Sequence, residues 1–201
     1  MNAHQNNQVT VVGIVASGFT FSHEYEDEKF FAFTLEVQRM SGTKDYLPII
    51  ISEMMIDTKQ IYLGKPIFIV GQFRSYNKKD DTGRHLMLNI FVQDCYIVDE
   101  VQVMDRACIT GFVCKPPVYR VTPLGRRIAD VMLAVPRPYG KTDYIPCVAW
   151  GRYAIFASGL NVGTMIQVEG RIQSREYQKK DEAKTAFELS ISKIEGTNYE
   201  G

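Results

Sequence analysis

The chain has little of what membranes, metal centres and catalytic sites require. No apolar run in its 201 residues approaches the roughly 18–20 that a membrane-crossing helix needs, and the opening MNAHQNNQ lacks the apolar core of a secretory signal. The expectation is a cytoplasmic protein. Four cysteines, at 95, 108, 114 and 147, form no CxxC pair, and the three histidines, His4, His23 and His85, lie far apart. Neither a zinc site nor a disulfide framework follows, so the thiols are expected to be reduced and mostly buried, with no metal and no cofactor. No carboxylate cluster stands beside a metal-binding pattern and no nucleophile beside an oriented base, which argues against an enzyme. Tryptophan is nearly absent as well, Trp150 being the only one, and net charge is zero, with 23 Lys+Arg against 23 Asp+Glu.

What is present is a repeat. DYIPCVAWGR, beginning at Asp143, is echoed by DYLPIIIS, beginning at Asp45, at an offset of 98 residues. The same offset relates Gly111 to Gly13, and Leu133, Val135 and Arg137 to Leu35, Val37 and Arg39. Further on it becomes 99, relating Gly170 and Ser174 to Gly71 and Ser75. An offset that survives over so many positions reads as a tandem duplication, with small changes in loop length after Ser52 and near Tyr76. A unit of ~100 residues can bury its own core. The halves differ in charge: residues 1–100 hold 9 Lys+Arg against 13 Asp+Glu, and the remainder 14 against 10. By charge alone the second copy is the better polyanion binder.

Read in order, residues 1–8 are polar and expected to be a flexible N-terminus. VTVVGIVASGF is a first strand bent at Gly13, HEYEDE at 23–28 a charged surface loop, and FFAFTLEVQR and DYLPIIIS the second and third strands. Ser52 can cap a short helix reaching Leu63. KPIFIVGQFRSY and HLMLNIFVQDCYIV then form a hairpin. The second copy repeats this order, with its helix around Arg152 to Leu160. Five strands with a helix between the third and fourth is the order of an OB-fold, a Greek-key barrel. The expected fold class is therefore all-β, tandem OB-folds, with domains at 9–99 and 105–195 and a short tail at 196–201. Gly13, Gly71, Gly111 and Gly170 mark places where a coiled strand bends or approaches another backbone. A β-sandwich is not excluded by strand count alone.

The second copy resembles the bacterial single-stranded DNA-binding protein family. The resemblance rests on TGFVCKPPVYRVTPLGRRIADVMLAVPRPY, DYIPCVAWGR, GTMIQVEGRIQSREYQKK and FELSISKI, an ordered set covering residues 107–194. It implies base-stacking aromatics at Tyr139, Tyr144, Trp150 and Tyr177. In the first copy Tyr46 and Tyr76 answer Tyr144 and Tyr177, while Ser41 and Ser52 stand at the places of Tyr139 and Trp150. About half of the stacking platform is thus missing there. Single-strand binders combine exposed π faces with cations along the phosphate path. Arg126, Arg127, Arg137, Lys141, Arg152, Arg171, Arg175, Lys179 and Lys180 supply such cations in the second copy, and Arg74 in the first. An aromatic in a β-protein is more often core than platform, a concern sharpest for Trp150, which ends an apolar strand.

The resemblance implies sequence-independent single-stranded DNA binding in replication, recombination or repair, without chemistry. It also implies a homodimer, because a two-domain branch of the family pairs to reach four OB-folds. Family members carry a disordered tail ending in acids and a phenylalanine, whereas this sequence stops at EGTNYEG. Partner recruitment is accordingly expected to be absent or to use another surface, as in a mobile-element or specialised paralogue. The alternative is an OB-fold adaptor of a replication or primosome-type assembly with residual DNA binding.

Overall fold

Alternation builds the strands. In β4 (Lys44–Ser52) the side chains of Asp45, Leu47, Ile49 and Ile51 are buried, while those of Lys44 and Tyr46 are exposed. β10 (Thr142–Trp150) repeats the pattern, burying Asp143, Ile145, Cys147 and Ala149 and exposing Tyr144 and Trp150. Two-residue periodicity of this kind puts one face on a core and the other in solvent. The computed structural model describes residues 6–81, 83–179 and 182–196. They divide into two units, one spanning Val9–Asp105 and the other starting at Arg106 and also taking in Asn6 to Gln8.

In the first unit β4 is joined by β1 (Asn7–Val15), β2 (Thr20–Tyr25), β3 (Glu28–Gln38), β5 (Pro66–Asp80) and β6 (Gly83–Ile97). Their order is β2-β3-β4-β6-β5-β1, and pairing of β1 with β3 closes the barrel. In the second unit β7 (Met104–Val113), β8 (Val118–Val121), β9 (Arg127–Pro136), β11 (Met165–Lys179) and β12 (Glu182–Gly196) surround β10. The order there is β7-β11-β12-β10-β9-β8, closed by β7 on β9. One strand pair in each barrel is parallel, β4 with β6 and β10 with β12. Both units are OB-folds. The first core sets Phe33 and Phe73 among Leu35, Leu47, Ile49, Ile69 and Ile90, and the second is aliphatic, from Ile109, Leu133, Ile145, Ile172 and Leu189.

Glycine is required where strands nearly touch. A Cβ on Gly71 would lie 2.4 Å from the carbonyl oxygen of Phe91, and one on Gly170 2.1 Å from that of Ser190. Both residues follow a register shift, between Val70 and Gly71 and between Glu169 and Gly170, so the same bulge coils the long hairpin in each copy. A second repeated device is an ion pair. Arg39 grips the buried Asp45 through two bonds of 2.6 Å, and Arg137 lies 3.1 Å from the buried Asp143.

Three expectations are corrected. The stretch from Ser52 to Leu63 forms turns, and among the described residues the only α-helix is α1 (Arg152–Ser158). Ser52 Oγ accepts from the Met54 N–H and Asp57 Oδ1 from the Lys59 N–H, so both side chains hold local turns that compete with a helix. Met54, Met55, Ile61 and Leu63 are exposed there, whereas α1 buries Ala154 and Ala157. Residues 23–25 of the expected charged loop extend β2, and the turn that follows is a two-residue one, with Glu26 and Asp27 at φ of 49° and 63°. A type I′ hairpin turn needs positive φ at both positions. Residues 1–5 of the N-terminal stretch and the tail residues 197–201 lie outside the described residues, but Asn6 and Asn7 are buried. The Asn6 carbonyl accepts from the Thr110 N–H and its side-chain amide donates to the Pro136 carbonyl.

Candidate nucleic-acid interface

On the second barrel the interface starts from the outward residues of β10. Because Cys147 and Ala149 point to the core, Trp150 points away from it and is 37% exposed. Its indole N–H donates to Ser190 Oγ of β12 at 3.1 Å, which orients the ring. Tyr144, 43% exposed, stands on the same face of β10. Tyr139 is 99% exposed and sits between Pro138 and Gly140 with φ of 62°. A left-handed tyrosine is a costly conformation that points to function when it presents a side chain to solvent.

A continuous polar thread runs from Trp150 to the far hairpin. Ser190 pairs with Arg171 across β11 and β12. Arg171 donates to Gln173 at 3.1 Å, and Gln173 donates to Glu188 at 2.9 Å. Arg175 lies 3.6 Å from Glu188 and places its guanidinium 6.0 Å from the ring of Tyr177, itself half-exposed. Two arginines, Arg171 and Arg175, therefore stand between the Trp150 and Tyr177 rings, over the buried polar side chains of Ser190, Gln173 and Glu188. Glu188 holds Arg175 in place but subtracts one charge from the path. Its position is that of Asn89 in the first barrel.

Arg126, Arg127, Lys141 and Arg152 are exposed, and the Arg152 guanidinium lies 4.9 Å from the ring of Tyr153. Arg137 does not join them: its partner is the buried Asp143, and the pair ties β9 to β10. That pair gives Arg137 a structural role. Lys180 lies outside the described residues, and for Lys179 only the backbone is described. Sequence reasoning missed Phe112, 41% exposed on β7. Its place after Gly111 in an apolar strand reads as core, and only the strand's alternation, buried at Gly111 and Val113, turns it outward.

The first barrel fills the same surface differently. Ser52, at the place of Trp150, lies beside Phe30 of β3, while Phe91 occupies the place of Ser190 on β6. The Phe30 and Phe91 rings meet at 5.5 Å. Arg74, held by two bonds to Gln72 Oε1, lays its guanidinium 3.8 Å from the Phe91 centroid, and His23 stacks on Phe30 at 4.8 Å. Tyr46 donates its hydroxyl to Glu36 at 3.0 Å, and Lys44 pairs with the same carboxylate at 2.7 Å. These contacts, Lys44 first, hold the Glu36 carboxyl below its ordinary value, and the bond to Glu36 pushes the Tyr46 phenol up. Counting from the shared bulge, the exposed Tyr76 matches Arg175 rather than Tyr177, one outward position short of the expected one. Among the described residues no group of three or more His, Cys, Asp or Glu could hold a metal.

Comparison with known proteins gives three results. Residues 104–196 match the sequence model of the Single-strand binding protein family. The chain is 36% identical over 86 residues to Single-stranded DNA-binding protein 3 of Listeria innocua, covering 39% of this chain and 54% of that one. It thus spans about half the length of such curated relatives. Among solved structures, the wild-type single-stranded DNA binding protein from Thermus aquaticus superposes with a TM-score of 0.79 at 17% identity, covering 97% of this chain and 94% of that one. The likeness to that structure is one of fold.

Proposed function

We propose, from the match of residues 104–196 to the Single-strand binding protein family, that the chain belongs to that family through its second domain and binds single-stranded DNA without regard to sequence, by stacking and charge rather than chemistry. The observation that carries this reading is the outer surface of the second barrel, where Tyr144 and Trp150 lead through Arg171 and Arg175 to Tyr177. Stacked bases contribute roughly 1–3 kcal/mol each and do so for any base. The protein then protects or organises single strands in replication, recombination or repair, in the cytoplasm. Among the described residues no helix is long and apolar enough to cross a membrane. The test is a gel shift with dT oligomers: changing Tyr144, Trp150 and Tyr177 together to alanine abolishes binding while the circular dichroism spectrum is kept. Retained binding by that folded variant rejects this surface.

The first domain works mainly in assembly, since Phe91 and Phe30, at the place of its missing tryptophan, are covered by its own Arg74 and His23. The chain forms a homodimer presenting four OB-folds. Light scattering is expected to give twice 22.9 kDa, and a strict monomer rejects the dimer. The same covered rings favour, as a second reading, an adaptor of a replication or primosome-type assembly. That reading holds only if the alanine variant keeps its place in such an assembly after losing DNA.

A further inference from the structure

Three residues form one row across the outer face of the second barrel. Tyr144 of β10 is paired with Ala134 of β9, and Ala134 is paired in turn with Phe112 of β7. Residues directly opposite in antiparallel pairs share a face, and the inward neighbours Leu133, Val135 and Val113 are fully buried. Two strand spacings of ~4.8 Å set the Tyr144 and Phe112 backbones about 10 Å apart, with only a methyl group between them. Stacked bases follow one another at about 3.4 Å, so a base held between two rings needs ring planes about 7 Å apart. Two half-exposed rings rising from either side of an alanine leave that space, and a larger residue at 134 would fill it.

Within the single-strand reading, on which this inference rests, we propose that Phe112 and Tyr144 form a slot over Ala134 that takes one base of the bound strand. Phe112 is then a stacking residue in addition to Tyr139, Tyr144, Trp150 and Tyr177. The first barrel shows what closes such a slot. Its corresponding row is Tyr46, Glu36 and Ile14. A carboxylate stands in place of the alanine and takes both the tyrosine hydroxyl and the Lys44 ammonium, and no ring faces it from β1. In the row of the second barrel the floor is a methyl group and no carboxylate stands in its place, as a base beside a phosphate chain requires.

The experiment uses the full chain and dT oligomers, with Trp150 emission reporting binding by the unaltered protein. Phe112→Leu keeps apolar bulk but removes the π face, and is expected to weaken binding roughly 5- to 150-fold, the range of one lost stack, with an unchanged salt dependence. Ala134→Leu, which fills the slot without touching either ring's chemistry, is expected to weaken binding similarly. In a Trp150→Phe background, Phe112→Trp moves the only indole to the slot, and its emission is expected to be quenched by dT. If the unaltered protein binds with quenching while Phe112→Leu stays within two-fold and the relocated indole is unquenched, the slot is overturned and the single-strand reading stands. If the unaltered protein binds no oligomer, both fall.

Discussion

At the residue scale, the two copies solve one packing problem in opposite ways. The second sets a large Trp150 beside a small Ser190, and the first sets a small Ser52 beside Phe91 and lets Phe30 reach across to it. Volume on that surface is conserved while the ring that faces solvent is not. The arginines divide in the same manner, into those paired with a buried carboxylate, such as Arg137, and those exposed at turns, such as Arg126. Arg137→Ala takes the guanidinium from the buried Asp143 and is expected to destabilise the chain by about 3–5 kcal/mol in chemical denaturation. Arg126→Ala, at an exposed turn, is expected to leave stability within ~0.5 kcal/mol and to reduce the salt slope of DNA binding by about 0.7. The opposite pattern would restore Arg137 to the interface. Sequence spacing could not separate these two arginines, because partner geometry across a strand pair, not residue type, decides between them.

At the element scale, the repeated bulges shape the long hairpins, and the sequence disclosed them through glycines at matching offsets. Gly170→Ala drives a Cβ to 2.1 Å from the Ser190 carbonyl and is expected to cost about 1–3 kcal/mol or more. Gly159→Ala, which meets nothing closer than 3.6 Å, is its control and is expected to be close to neutral by thermal melting. Strands were legible because apolar alternation is local. The first-copy helix was misread because Ser52 and Asp57, good cap residues in sequence, bond to the backbone just beyond them and no apolar face is buried. The join of β3 and β4 in the first barrel carries the Glu36, Lys44 and Tyr46 cluster. Glu36 has a lowered pKa, so its contribution is complete above its ordinary value of 4.5 and is lost as pH falls through the lowered one. Lys44 is raised, so its share is complete below 10.5 and is lost as pH rises through the raised value. The stability difference between the unaltered chain and Glu36→Gln is therefore expected to be constant through the neutral range and to shrink only in acid below about pH 4.5 or in strong alkali. A difference that changes between pH 6 and 8 would contradict that assignment.

At the scale of the whole molecule, duplication followed by divergence separates the outer surfaces of the two domains. The offset of 98–99 residues made the tandem architecture readable. The charge split between the halves pointed to the second domain as the binding one. What the sequence could not disclose was direction: whether Trp150 faced the core, whether Phe112 did, and whether Arg74 lay over a ring. These depend on register and on neighbours contributed by strands distant in the chain.

The central claim is best tested with the tryptophan that the protein already carries. Trp150 emission is followed as dT oligomers of increasing length are added at low and at high salt. Strong quenching is expected, with saturation that depends on length and an affinity that falls linearly in log–log form as salt rises. An unchanged emission, together with no mobility shift of the oligomer on a gel, would contradict a base-stacking surface on the second barrel.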